Sequence, residues 1–209
     1  MTARLPEPAA FYRERVPTHF NLSFEASERA AAAGDAAAQR ALAGMRTVNA
    51  TIRIQVEGDA TYDLAIEAGR MSCHEGARRE PFMTLRHGLA SFAGLVRESG
   101  DSVLGFLGAL AGLQGDMKLT SQRVQNLRAL SGCLRFELTG EQGFELTADF
   151  GASPPLATPT CCIRLDRNTY HALLRGEISA QDAFLGGRIE AEGDMQMLMR
   201  LALAVLSPE

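Results

Sequence analysis

Two histidines have neighbours that could support acid–base chemistry: His74 stands beside Glu75, and His171 beside Tyr170. A general acid or base needs a partner that orients or tunes its ring, so these are the pairs to follow. For both, a place on the surface or at a helix end is the plainer use. His19 and His87 have no acidic or phenolic neighbour in sequence. None of the histidines falls in a paired metal spacing such as H-E-x-x-H. No phosphate loop, dinucleotide fingerprint or G-x-S-x-G elbow is present. Cys73, Cys133, Cys161 and Cys162 lack zinc spacing and are too sparse for a disulfide scaffold. They read as free thiols, with at least one of the Cys161-Cys162 pair facing a core. No catalytic residue, metal-ligand set or cofactor is expected.

Composition narrows the partners. The chain has 209 residues, enough for one large domain or two small ones. Its net charge of -4 argues against nucleic acid, which calls for concentrated Lys and Arg. The first eight residues hold no apolar run after their single Arg, so no secretory leader is expected. The most apolar stretch, Val103 to Leu113, is too short and Gly-rich to span a bilayer. The expectation is a cytoplasmic protein without stable membrane insertion, for which a homodimer is one open arrangement.

The chain also says much the same thing twice. Gly115-Asp116-Met117 is matched 78 residues later by Gly193-Asp194-Met195. At that offset Phe92 faces Tyr170, Leu95 faces Leu173, Arg97 faces Arg175, and Phe106-Leu107-Gly108 faces Phe184-Leu185-Gly186. Upstream the offset is 82: Ile52, Ile54, Val56, Gly58, Tyr62, Leu64 and Ile66 face Leu134, Phe136, Leu138, Gly140, Phe144, Leu146 and Ala148. A diverged tandem repeat follows. The expected division is a helical segment at 1–47, one unit at 48–130 and a second at 131–209.

Within each unit the hydrophobic period changes from two to that of a helix. Alternation predicts strands around Ala50 to Val56, Tyr62 to Ile66, Met71 to Cys73 and Met83 to Leu85. Helices are expected at about Leu89 to Glu98, in Val103 to Leu113, and from Asp116 to Leu130. The second unit repeats the order, with strands around Leu134, Phe144 and Cys161 and helices at Asn168 to Arg175 and after Ser179. Asp166, Ser179 and Asp194 are placed to cap helices. Before the units, Ala9 to Phe24 reads as a helix interrupted by Pro17. Ser27 to Met45 reads as helical with a break near Gly34-Asp35.

The last segment, Met195 to Leu206, leaves little polar surface. A helix apolar nearly all round is buried on several faces or lines something apolar. Met adapts to varied ligands, but a plain core or dimer helix fits the composition equally well.

From Leu174-Arg175-Gly176-Glu177, through Ser179 to Phe184, to Gly187-Arg188-Ile189-Glu190-Ala191-Glu192-Gly193-Asp194 and the apolar helix, the chain resembles the sterol carrier protein 2 family, the SCP2-like lipid-transfer domain. The resemblance covers about Leu130 to Leu206, and 48–130 looks like a more diverged copy. It implies an α/β (α+β) fold in which twisted, mostly antiparallel sheets are covered by helices, as two similar units in tandem. It also implies non-catalytic binding of a fatty acid, acyl-CoA or sterol-like ligand in a hydrophobic tunnel. By motif position, Phe184, Leu185, Ile189, Met195, Leu198, Met199 and Ala202 would line the tunnel, with Tyr170, Leu173 and Leu174 as the opposing wall. Two alternatives stay open: an enzyme on the same scaffold using His171 or Tyr170, and an interaction module with a filled core.

Overall fold

The computed structural model describes residues 5–110, 113, 117–151 and 155–207. Of the repeated triplet in the first half, Gly115 and Asp116 lie outside the described residues.

The chain opens with helices. A short α1 (Pro8–Ala10) runs through one π turn (Phe11–Arg15) into α2 (Val16–Ala32). The expected interruption at Pro17 does not occur. Proline has no N–H to donate and crowds the carbonyl one turn back. The π turn, closed by Val16 N–H to Phe11 O, resets the ladder just before it. The break at Gly34-Asp35 is present, with the Asp35 carboxylate accepting from Ala37 and Ala38 N–H to start α3 (Ala36–Arg46).

The strands and helices then follow as β1 (Asn49–Glu57), β2 (Thr61–Glu67), β3 (Arg70–His74), β4 (Met83–Gly88), α4 (Leu89–Ser99), α5 (Gly105–Leu110) and α6 (Ser121–Arg128). The second half comprises β5 (Gly132–Thr139), β6 (Phe144–Phe150), β7 (Cys161–Asp166), α7 (Arg167–Leu174), α8 (Ala180–Leu185), β8 (Ile189–Gly193) and α9 (Met195–Val205).

Among the described residues eight strands form one sheet, in the order β3-β2-β1-β4-β6-β5-β7-β8. The expectation of separate sheets gives way to this single one, because β4 pairs antiparallel with β6, Met83 opposite Phe150 and Arg86 opposite Thr147. The pairings are antiparallel except for β1 with β4 and β5 with β7. In both halves a strand parallel to a hairpin's first member comes later in the chain, directly after the hairpin in the second half and after β3 in the first.

The sheet's two faces differ as alternation requires. One face carries Ile52, Ile54, Leu64, Leu134, Phe136 and Leu165 into a continuous buried core. The other carries cross-strand ion pairs: Arg53 with Asp63, Arg86 with Asp149, Arg135 with Glu145, and Arg164 with Glu137 and Glu190. The fold is therefore mixed α/β, a multi-stranded sheet covered by helices.

Candidate ligand site

The last strand turns into α9 through Gly193, whose φ is +91°. A Cβ there would lie 2.3 Å from Thr160 O, so only glycine fits. The Asp194 carboxylate then accepts from Met197 N–H at 3.0 Å and caps the helix. The far end is held by a side chain that gave no sequence signal of this role. Arg123 of α6 is buried, and its Nε donates to Val205 O at 2.8 Å and its Nη2 to Ser207 O at 3.0 Å. A guanidinium at the last carbonyls satisfies acceptors left free by the helix and opposes its dipole.

At about 100° per residue, Met197, Leu201, Ala204 and Val205 share the inward side of α9 and are buried. Met195, Met199, Ala202, Leu203 and Leu206 share the outward side and are exposed, Met199 at 66% and Leu203 at 69%. Gln196 and Arg200 occupy one narrow edge between them. The helix is apolar inside and out.

The ten sequence-predicted residues do not line one enclosed space. Tyr170, Leu173 and Ile189 are buried, and Leu174 and Leu198 are partly buried against the core. Phe184, Leu185, Met195, Met199 and Ala202 are exposed. What fills the interior is α5. Phe106 packs its ring 5.4 Å from that of Phe136, which in turn lies 6.0 Å from Tyr170, and Leu107 is buried with it. A cavity of about 30 Å³ lies elsewhere, among Val16, Phe20, Met45, Met71, Leu104 and Met117. It is about one water in size, far below the several hundred Å³ of ligand pockets.

Residues 117–205 match the model of the SCP-2 sterol transfer family. The matching segment thus runs from Met117, just before α6, to the end of α9. Among solved structures, the crystal structure of sterol carrier protein 2 like 2 from Aedes aegypti has 19% identity, a TM-score of 0.33, and coverage of 51% of this chain and 96% of that one. The palmitated form of Aedes aegypti SCP2L2, solved by NMR, has 17% identity and a TM-score of 0.30, covering 41% and 92%. A UbiJ-SCP2 ubiquinone synthesis protein has 11% identity and a TM-score of 0.22, covering 78% and 70%. No curated protein matches.

The two histidines that the sequence singles out are held in structural contacts. His171 Nε2 lies 2.8 Å from Glu98 Oε2, and Arg167 Nε donates to the same oxygen at 3.0 Å. Glu98 is fully buried and belongs to α4 in the first half, so the cluster fastens the two halves together. Its one sequence signal is its place three residues after Leu95, on the apolar side of α4. His74 faces Ser72 Oγ at 2.9 Å in the exposed part of β3. Burial pushes the Cys161 thiol up to about 11 and the Cys133 thiol up to about 12, which leaves both protonated at neutral pH and poor as nucleophiles. Among the described residues, no three His, Cys, Asp or Glu side chains group as they would around a metal ion. Nor is any helix long and apolar enough to cross a membrane.

Proposed function

We propose that the chain binds an apolar, lipid-like molecule without covalent chemistry, through the half that matches the SCP-2 family. A fatty acid, an acyl-CoA and a sterol-like molecule are the ligand classes in view. The observation that carries this reading is the coincidence of the family match with α9, a helix fixed at both ends yet apolar on both sides. Tyr170, Leu173, Leu174, Ile189 and Leu198 are the inner wall in this reading. Phe184, Leu185, Met195, Met199 and Ala202 are its rim. Residues 48–130 serve as a diverged partner unit and 1–47 as a helical cover. With α9 pinned by Asp194 and Arg123, and Phe106 and Leu107 of α5 filling the interior, entry of a ligand calls for movement of α5 or α8. Each methylene taken from water then contributes about 0.8 kcal/mol.

Native mass spectrometry of the purified chain, followed by organic extraction, tests this. The expected result is a near-stoichiometric apolar molecule, or a mass increase on incubation with fatty acid, acyl-CoA or sterol. A mass that stays that of the bare chain through all three incubations overturns the reading.

A further inference from the structure

The two ends of the sheet are finished differently. At the β3 end, Asn21 of α2 takes the place of a neighbouring strand. Its Nδ2 donates to Met71 O at 3.0 Å and its Oδ1 accepts from Met71 N–H at 2.8 Å. Phe11, Tyr12 and Val16 of the same helical run are buried in the core beside it. An edge strand is a liability unless covered, and here it is covered. At the opposite end β8 is mostly exposed, and α8 and α9 turn apolar side chains to solvent.

The repeated triplet shows what that end lacks. Phe106 and Leu107 are each 1% exposed, packed on the half that follows them. Their counterparts Phe184 and Leu185 are 44% and 73% exposed. Among the described residues, none covers them. The outward stripe of α9 adds Met195, Met199, Leu203 and Leu206.

We propose that this end closes on a second copy of the chain, as a two-fold dimer through the outward sides of α8 and α9. A head-to-tail contact would need the β3 end of a neighbour to receive α8, and that end is occupied by α2 of its own chain. The free surface is left to meet itself, which is the isologous contact of a closed dimer. The area is adequate. The six exposed side chains leave roughly 700 Å² in water, close to the about 800 Å² per partner of a stable interface. An anionic lipid surface is the poorer occupant, since Asp182, Glu190, Glu192 and Asp194 outnumber Arg188 and Arg200 around the patch. Strand pairing through β8 itself is opposed by Glu190 and Glu192, since a two-fold pairing about Ala191 sets each opposite the other's copy.

Sedimentation velocity of the full chain tests the proposal, which goes beyond the lipid reading and does not depend on it. The expected result is twice the chain mass. Leu203→Glu should weaken association on the order of a hundredfold with an unchanged far-UV circular dichroism spectrum. Ala202→Cys lies in the outward stripe, and under mild oxidation a two-fold pair should yield a disulfide that peptide mapping assigns to position 202 in both copies. A wild-type chain that stays at single-chain mass overturns the proposal. So does a dimer that is indifferent to Leu203→Glu and cross-links elsewhere, or a monomer that floats with phosphatidylcholine–phosphatidylglycerol vesicles. Lipid-free protein that dimerises but takes up no fatty acid, acyl-CoA or sterol keeps this inference and removes the ligand reading. A monomer that takes up fatty acid does the reverse.

Discussion

Tyr12 and His87 form the buried polar pair that ties the N-terminal helices to the sheet. The His87 Nδ1–H donates to Gly88 O at 3.0 Å, so Nε2 is the acceptor of the Tyr12 hydroxyl at 2.5 Å. Both groups are buried, and the rings of Tyr62 and Phe92 lie within ring-contact distance. The Tyr12 phenol is held above its ordinary range, by burial first and by Tyr62 second. Burial disfavours the His87 imidazolium and holds its pKa below the ordinary value, against the pull of the Gly88 carbonyl and Glu57. The sign follows: the unfolded chain takes up the proton first, at about pH 6.5. The neutral imidazole's contribution is complete above that value and is lost as the pH falls from it toward the depressed folded pKa. Urea midpoints measured at about pH 7.5 and about pH 5.5 should therefore fall with acidity, and the fall should shrink in His87→Gln. An identical pH dependence in both proteins would rule the account out. Tyr12→Phe leaves the Nε2 acceptor buried without a partner and should cost about 1–3 kcal/mol at neutral pH.

At the scale of the element, α9 lets burial be separated from hydrophobicity. Leu201 and Leu203 are the same residue type two positions apart, one 4% exposed and the other 69%. Leu201→Ala removes buried methyl groups and leaves a cavity, an expected loss of about 2–4 kcal/mol. Leu203→Ala should change the stability of a single chain by about 0.5 kcal/mol or less. Denaturant titration of dilute protein distinguishes them, and equal losses would mean that the outward face is covered within the chain. The helix and its cap were legible in the sequence, because Asp194 precedes an apolar run broken only by Gln196 and Arg200, and so were the caps at Asp166 and Ser179. The strands were legible through their period of two. What alternation does not encode is which strand lies beside which, and so the β4–β6 pairing was not foreseen. Side chains such as Asn21, Glu98 and Arg123 act across 50 or more residues, and no local pattern marks such partners. The candidate site was half legible for the same reason. Apolar residues of α8 and α9 were recognised as notable, but periodicity alone does not tell a rim exposed to water from a wall turned to the core.

At the scale of the molecule, the segment that matches the SCP-2 family begins at Met117, but its core does not. β6 needs β4 beside it, where Arg86 reaches the Asp149 carboxylate through Nε at 2.7 Å and Nη2 at 3.3 Å, and Nη2 also donates to Leu156 O at 2.8 Å. Asp149 is fully buried on its side-chain surface, so loss of Arg86 strands a charge; breaking such a pair costs about 3–5 kcal/mol. Phe136 and Tyr170 need Phe106, and His171 and Arg167 need Glu98. A fragment spanning 117–209 loses all of these together and exposes the bare edge of β6. Against the about 5–15 kcal/mol that holds a typical domain, that loss is decisive, and the fragment should show no cooperative denaturant transition. The full chain should unfold in one calorimetric step, with the amides of β2 and β7 exchanging at a common limiting rate even though they sit in different halves. A cooperative transition in the isolated fragment, or two steps in the full chain, would show instead that the halves are separate folding units that merely share a sheet edge.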